Sequence, residues 1–147
     1  MTRQNGWGVA VAIALTAAGV ALAKDVDPST LYEVTTRGST EKLKAGETGS
    51  FVLQITPKPG AHVSDEAPLR LELKGQNVKV EKAKLTLADS VAKKAEGQKY
   101  QNPRFEVPVT AAGAGKGSVD GKLVFFICTE NLCARQQKTL SVPIEIL

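Results

Sequence analysis

From Leu31 onward, the chain consists of short stretches of alternating apolar and polar residues, separated by turn residues about every eight to twelve positions. Phe51, Leu53 and Ile55 share one face of such a stretch, and Leu69–Leu73 alternates without a break. Alternation with a period of two is typical of half-buried strands in an antiparallel sheet. The pattern predicts an all-β fold, an immunoglobulin-like antiparallel β-sandwich of about seven to nine strands.

Two segments of this region carry more specific predictions. Phe105–Val109 contains Pro108, which lacks a backbone N–H, and we therefore expect an edge strand there. Asp89–Glu96 is the one candidate for helical structure, although it has no apolar stripe. We expect this segment to form a single turn or a mobile loop.

The first 23 residues have the composition of a secretory signal peptide. A single arginine precedes an uncharged apolar run over residues 9–23, which ends in the small-residue cleavage pattern Ala21-Leu22-Ala23. The run is shorter than the roughly 20 residues that a membrane-spanning helix needs. We expect cleavage after Ala23, export to the periplasm, no stable membrane insertion, and a single domain over residues 24–147.

Composition narrows the classes of function. Of the 147 residues, 19 are lysine or arginine and 15 are aspartate or glutamate, so the formal net charge is +4. The basic residues are scattered and few aromatic residues lie among them, which argues against nucleic-acid binding. Two cysteines and the single histidine, His62, cannot supply the four ligands of a structural zinc site. We expect a monomer with no metal and no cofactor.

His62 lies in a Pro-Gly turn, and the sequence alone does not connect it with either cysteine. A cysteine hydrolase needs a base within hydrogen-bonding reach of its nucleophile. We therefore interpret His62 as an ordinary loop residue, and the adjacent acids Asp65 and Glu66 as part of a solvated loop.

The two cysteines frame a four-residue connection near the C-terminus. Leu123–Cys128 is continuously apolar, as expected of a buried strand, and Thr129–Leu132 forms the connection to a second strand. If the loop has four residues, Cys128 and Cys133 lie directly opposite each other on neighbouring antiparallel strands. They are then close enough to form a disulfide, and export places them where such a bond persists.

This register also predicts which side chains surround the sulfurs. Phe126 faces Arg135 on the side of the sheet that carries both cysteines, which makes this half-apolar, half-polar face a candidate docking surface. The positive charge of Arg135 would favour a thiolate at Cys133, whereas Glu130 in the loop would oppose it.

Two physical considerations bear on the purpose of such a disulfide. Opposed residues hold their Cβ atoms about 4.5–5.5 Å apart, whereas a relaxed disulfide needs about 3.8 Å, and the resulting strain eases reduction. Closing roughly six residues stabilises the fold by only about 2 kcal/mol, against about 4–5 kcal/mol for a 100-residue loop. Both considerations favour a labile redox bond. A structural hairpin disulfide stays open as the alternative, with free thiols or a metal site behind it.

The sequence resembles the N-terminal periplasmic domain family of the thiol:disulfide interchange protein DsbD. KLVFFICTENLCARQQKTLSVPIEI, residues 122–146, is similar to the family's apolar strand, paired cysteines and final alternating strand. Upstream, ITPKPGAHVSDEAPLRLEL, residues 55–73, resembles the family's Pro-Gly-x-His stretch. Lys99-Tyr100, followed by Phe105–Val109, fits the family's usual tyrosine and strand.

The resemblance implies an immunoglobulin-like sandwich in which Cys128 and Cys133 form a redox pair and Cys133 forms the mixed disulfide with partners. The implied partners are thioredoxin-like donors and disulfide-isomerase-type proteins of the envelope. In the family, an aromatic-bearing cap loop shields the cysteines, and no motif fixes either Tyr32 or Tyr100 as its aromatic.

The chain departs from the family in two respects. Prolines often follow the second cysteine in the family, whereas this sequence has Ala134-Arg135. The family domain is usually fused to a membrane electron conduit and a thioredoxin-like domain, and this sequence contains neither. Two functions therefore stay open, an exported thiol:disulfide exchange module and a non-enzymatic protein-binding sandwich with a structural disulfide.

Overall fold

The computed structural model describes residues 25–147. The predicted signal peptide, residues 1–23, lies outside the described residues, as does Lys24 at the predicted start of the domain. Within the described part, no helix is long and apolar enough to cross a membrane.

Within residues 25–147, ten strands form two packed sheets, which confirms the predicted all-β sandwich. In chain order they are β1 (Tyr32–Thr35), β2 (Lys42–Leu43), β3 (Thr48–Pro57), β4 (His62–Val63), β5 (Arg70–Gln76), β6 (Val78–Val80), β7 (Lys84–Leu85), β8 (Arg104–Ala111), β9 (Gly115–Cys128) and β10 (Cys133–Ile146). The first sheet has the order β1-β3-β8-β6. The second has the order β2-β10-β9-β5-β7, and β4 pairs with β9 beside β5.

The structure has slightly more strands than the sequence predicts, because several are only two or three residues long. Such strands are too short to show alternation in the sequence. Among the described strands, the pairing of β2 with the end of β10 is parallel and all the others are antiparallel. The fold is otherwise the antiparallel, immunoglobulin-like sandwich that the pattern predicts.

The core lies between the two sheets, where the alternating apolar residues meet. Phe51, Leu53 and Ile55 of β3 are at most 1% exposed, as their shared face predicts. From the second sheet, Leu123 and Phe125 of β9 are fully buried. The odd positions of β9 therefore point into the core, and the even positions form the outer face of the second sheet.

The prediction of an edge strand at Pro108 is wrong, because β8 lies between β3 and β6. The carbonyl of Pro108 accepts a hydrogen bond from the backbone N–H of Glu81, which follows the last residue of β6. A residue's N–H and carbonyl point to the same side of a strand, so the missing N–H of Pro108 faces the end of β6. The proline therefore removes a donor where the ladder is already ending.

Of the segment Asp89–Glu96, only Asp89 is helical, as the last residue of a 3₁₀ turn at Leu87–Asp89. Thr86 and Asp89 form a capping box around it. Residues 90–103 then continue as an irregular loop that leads to β8. The segment lacks the apolar stripe that would hold a longer helix against the sandwich.

The end of β5, just before the turn into β6, requires a glycine. A Cβ on Gly75 would lie 2.0 Å from the carbonyl oxygen of Val78, so the two backbones approach too closely for any side chain. Asn77 completes the turn with φ of 55°, in the left-handed region that asparagine tolerates. This close approach turns the chain from the second sheet into the first.

Candidate functional site at the hairpin disulfide

The C-terminal hairpin joins the two cysteines as the sequence predicts. β9 and β10 are each 14 residues long, and Cys128 is paired with Cys133 where the two strands meet the turn. The backbone N–H of Thr129 donates to the carbonyl of Leu132 at 2.7 Å, which closes the four-residue turn. The cysteine Cα atoms are 4.1 Å apart and the sulfurs form a disulfide.

The two cysteines differ in exposure. Cys128 is only 2% exposed, whereas Cys133 is exposed to solvent. β9 has neighbours on both edges, because β10 pairs on one side and β4 and β5 pair on the other. In the described part of the chain, the outer edge of β10 pairs only with β2, at Glu145 and Ile146. Cys133 is therefore the accessible member of the pair.

His62 belongs to this site, and its interpretation as an ordinary loop residue is wrong. In the pairing of β4 with β9, His62 lies directly opposite Cys128. The backbone N–H of Ser64 donates to the carbonyl of Phe126 at 2.9 Å and extends this pairing. Side chains of directly opposed residues share a face of the sheet. His62, Cys128 and Cys133 therefore form one row across three strands.

Tyr100 covers the histidine end of this row. Its ring stacks on the His62 imidazole, with centroids 3.6 Å apart and an interplanar angle of 7°. The ammonium of Lys99 lies 5.4 Å from the centroid of the Tyr100 ring. In the same loop, Lys94 forms an ion pair with Asp65, which follows β4, at 3.3 Å. The loop of residues 90–103 is thus attached to the segment around β4 at two points.

Hydrogen bonds anchor both ends of this loop. The Ser90 hydroxyl donates to the carbonyl of Ala92 at 2.9 Å and accepts from the backbone N–H of Arg104 at 3.0 Å. The carbonyl of Pro103 accepts from the backbone N–H of Ile55 at 2.9 Å. Ser90 is 2% exposed, and these two bonds satisfy its buried hydroxyl. These bonds fix where the segment that carries Tyr100 leaves and rejoins the sandwich.

Tyr32, the other tyrosine, belongs to β1 of the first sheet and packs against the core face of the second sheet, opposite the face that carries the cysteines. It is 6% exposed and packs edge-on against Phe125, with centroids 4.8 Å apart. Its hydroxyl donates to Oε1 of Gln136 at 2.9 Å. Burial raises the pKa of Tyr32, and the negative charge of Asp27 adds to this increase. Tyr32 is therefore a core residue, and Tyr100 is the tyrosine on the cysteine face, through its stack on His62.

The predicted neighbours of the sulfurs lie in the expected register, since Phe126 pairs with Arg135. Both side chains line a groove of about 380 Å³ on the outer face of the second sheet. Val124 forms part of its floor, and Arg70 of β5 lies on the opposite side. Glu130 is exposed in the hairpin turn and forms no ion pair with the described residues.

Comparison with known proteins finds no matching family model and no matching curated protein. Several solved structures are similar in fold. A conjugative transposon lipoprotein from Bacteroides eggerthii is 11% identical with a TM-score of 0.38, over 75% of this chain and 96% of that chain. AggA, the major subunit of aggregative adherence fimbriae type I from Escherichia coli, is 13% identical with a TM-score of 0.37, over 79% and 93%.

The ASH/PapD-like domain of human CEP192 is 11% identical with a TM-score of 0.34, over 90% of this chain and 96% of that chain. At such identities, these likenesses concern the fold alone. None of the three is described as a thiol:disulfide interchange protein, and the resemblance to that family stays a prediction.

Within residues 25–147, no three histidine, cysteine, aspartate or glutamate side chains are grouped as metal ligands would be. The chemistry that the described site offers is that of the disulfide itself. A disulfide sulfur is attacked by a thiolate that can reach it, and here Cys133 is the reachable residue.

Proposed function

We propose that this chain is an exported thiol:disulfide exchange module that passes reducing equivalents to envelope proteins through Cys128 and Cys133. The observation that carries the proposal is the asymmetric exposure of the pair, since Cys133 is exposed and Cys128 is 2% exposed. A purely structural bond has no need of one accessible sulfur. An exchange protein does, because its partner must attack one sulfur along an open path.

The exchange begins when a thiolate of a reduced partner attacks Sγ of Cys133. A bond forms between the partner's sulfur and Cys133, and the bond between Cys133 and Cys128 breaks. The electron pair of that bond stays on Sγ of Cys128, which takes up a proton from water. A second thiol of the partner loses its proton and attacks the partner's sulfur in this mixed disulfide, so that Cys133 leaves as a thiolate and is protonated.

At the end of these two steps the partner holds a disulfide and the chain holds two thiols, so two electrons and two protons have moved. Reduced Cys133 then attacks the disulfide of an oxidised acceptor, and the same steps run in reverse. The resemblance to the thiol:disulfide interchange family supports a thioredoxin-like donor and a disulfide-isomerase-type acceptor. The signal-peptide pattern of residues 1–23 supports a periplasmic location.

The surroundings of the pair suit this division of roles. Arg135 lies two residues beyond Cys133 on the same face of β10, where its positive charge favours the thiolate form of a reduced Cys133. On the other side of the disulfide, His62 lies opposite Cys128, and the ring of Tyr100 stacks on the His62 imidazole. We assign this stack the shielding role that the resemblance implies for an aromatic loop.

The reduction potential of the Cys128–Cys133 couple tests the proposal. The protein is equilibrated with glutathione or thioredoxin buffers, and the reduced fraction is measured after acid quenching. A value between about −270 and −180 mV places the couple among exchange proteins. A value below about −300 mV identifies a structural bond, and the chain is then better described as a non-enzymatic protein-binding sandwich.

A further inference from the structure

We propose that the groove beside Cys133 recognises an acidic segment of the partner, with a carboxylate close to the partner's own cysteine. This inference rests on the proposed exchange function and names the class of substrate. The groove lies on the outer face of the second sheet, and Phe126 and Val124 form its apolar floor. Arg70 and Arg135 lie on either side of that floor.

The groove is continuous with the disulfide. Phe126 and Cys128 are two residues apart on β9, and Arg135 and Cys133 are two residues apart on β10. Residues two apart on a strand share a face and are separated by about 6.6–6.8 Å. A carboxylate held by Arg135 therefore lies within one or two residues of a cysteine that attacks Cys133. Recognition and chemistry then involve the same short peptide segment.

The charges of the groove favour a carboxylate. Among the described residues, neither Arg70 nor Arg135 forms an ion pair, and neither guanidinium donates a hydrogen bond to another side chain. Glu72 and Lys122 also line the groove. They lie directly opposite each other on β5 and β9, so their charges offset each other. Two uncommitted guanidinium groups remain.

A guanidinium binds a carboxylate through two parallel N–H···O bonds, which gives both affinity and orientation. Between the two arginines, the partly buried side chains of Phe126 and Val124 offer contact to an apolar residue of the same segment. Asp65 is not among the residues that line the groove, and its carboxylate forms an ion pair with Lys94. The groove thus suits a short peptide that carries one acidic and one apolar residue next to its cysteine.

Three synthetic peptides test this inference. Each has one cysteine and one neighbouring leucine, and they differ only in carrying aspartates, serines or lysines at the flanking positions. Each reduced peptide is mixed with the oxidised protein at low salt, and the rate of mixed-disulfide formation is followed by mass spectrometry. Each rate is divided by the rate of the same peptide with 2-hydroxyethyl disulfide, which corrects for the intrinsic reactivity of its thiol.

We expect the normalised rate of the aspartate peptide to exceed that of the lysine peptide by about tenfold, and the difference to shrink in about 0.5 M NaCl. The R70Q/R135Q variant should lose this preference. The K44Q/K79Q variant, which removes the same charge from outside the groove, should keep it. Equal normalised rates for all peptides, or a preference that survives in R70Q/R135Q, would overturn the inference but leave the exchange function intact.

Failure of the exchange function itself gives a different result. In that case none of the peptides opens the disulfide, while the same peptides do reduce 2-hydroxyethyl disulfide, and the reduction potential lies below about −300 mV. The acidic-segment inference then fails together with the function on which it rests.

Discussion

His62 lies directly opposite Cys128 in the pairing of β4 with β9, and its ring stacks on the ring of Tyr100 with the centroids 3.6 Å apart. The only histidine of the chain is thus next to the buried cysteine, while the exposed Cys133 lies on the other side of the same row. Within this row, Cys128 is the covered cysteine and Cys133 is the cysteine open to solvent.

The two single-cysteine variants should differ in reactivity. In C128S the free thiol is the exposed Cys133, and in C133S it is the buried Cys128. Because thiol exchange depends on access as well as on thiolate content, C128S should form a mixed disulfide with oxidised glutathione at least about tenfold faster than C133S. Mass spectrometry of acid-quenched samples gives both rates. Equal rates would contradict the assignment of Cys133 as the point of entry.

Loss of the Tyr100 ring should make Cys128 accessible to thiols in solution. In Y100A we expect dithiothreitol to reduce the disulfide several-fold faster, since attack at Cys128 is added to attack at Cys133. Y100F keeps the stack on His62 and serves as the matched control. Alkylating the sulfur that is released first, followed by peptide mapping, shows which cysteine was attacked. An unchanged rate and an unchanged attack site in Y100A would rule out shielding.

Gly75 should tolerate no side chain. In G75A the new methyl group would lie 2.0 Å from the carbonyl oxygen of Val78, so the turn between β5 and β6 must move. We expect the free energy of unfolding to fall by about 2 kcal/mol or more, measured by urea denaturation. In the control G113A, the nearest atom to the added carbon is Oδ1 of Asn77 at 3.7 Å, and the change should stay within about 0.5 kcal/mol.

Because of Tyr32, the free energy of unfolding should decrease at alkaline pH. Burial, and to a smaller extent Asp27, raise its pKa above the ordinary value of 10.0, so the folded state retains the phenolic proton more strongly than the unfolded state. The corresponding stabilisation is complete below pH 10 and is lost as the pH rises through the folded pKa. Y32F should lack this loss, which urea denaturation at a series of alkaline pH values would detect.

The same variant tests the hydrogen bond from the Tyr32 hydroxyl to Gln136. At neutral pH, Y32F should be about 1 kcal/mol less stable than the parent protein, because it leaves the partly buried amide oxygen of Gln136 without its donor. If the two proteins lost stability equally at alkaline pH, the raised pKa of Tyr32 would not be the cause of the loss.

The hairpin could be predicted from the sequence because local features determine it. A four-residue connection between two long strands permits one register, and that register opposes Cys128 to Cys133 and Phe126 to Arg135. The core face of β3 follows in the same way, since Phe51, Leu53 and Ile55 alternate. Each of these predictions depends on residues that are close together in the chain.

The rest of the site could not be predicted because it depends on contacts between distant segments. β4 contains two residues, too few to show alternation, and the stretch around His62 looks like a turn in the sequence. Only its pairing with the end of β9, where the partner residues are more than 60 positions later, places His62 opposite Cys128. Tyr100 comes from an irregular loop without periodicity, so no local signal indicates that it stacks on His62.

The length of β10 separates the disulfide from the last residues of the chain. Thirteen residue steps lead from Cys133 to Ile146, which corresponds to about 43 Å along an extended strand. An affinity tag, a fluorophore or a solid support attached after Leu147 would therefore lie at the opposite end of the sandwich from the sulfurs. Molecules immobilised in this way would all present the cysteine pair to the solution, which suits surface-based measurement of exchange with soluble partners.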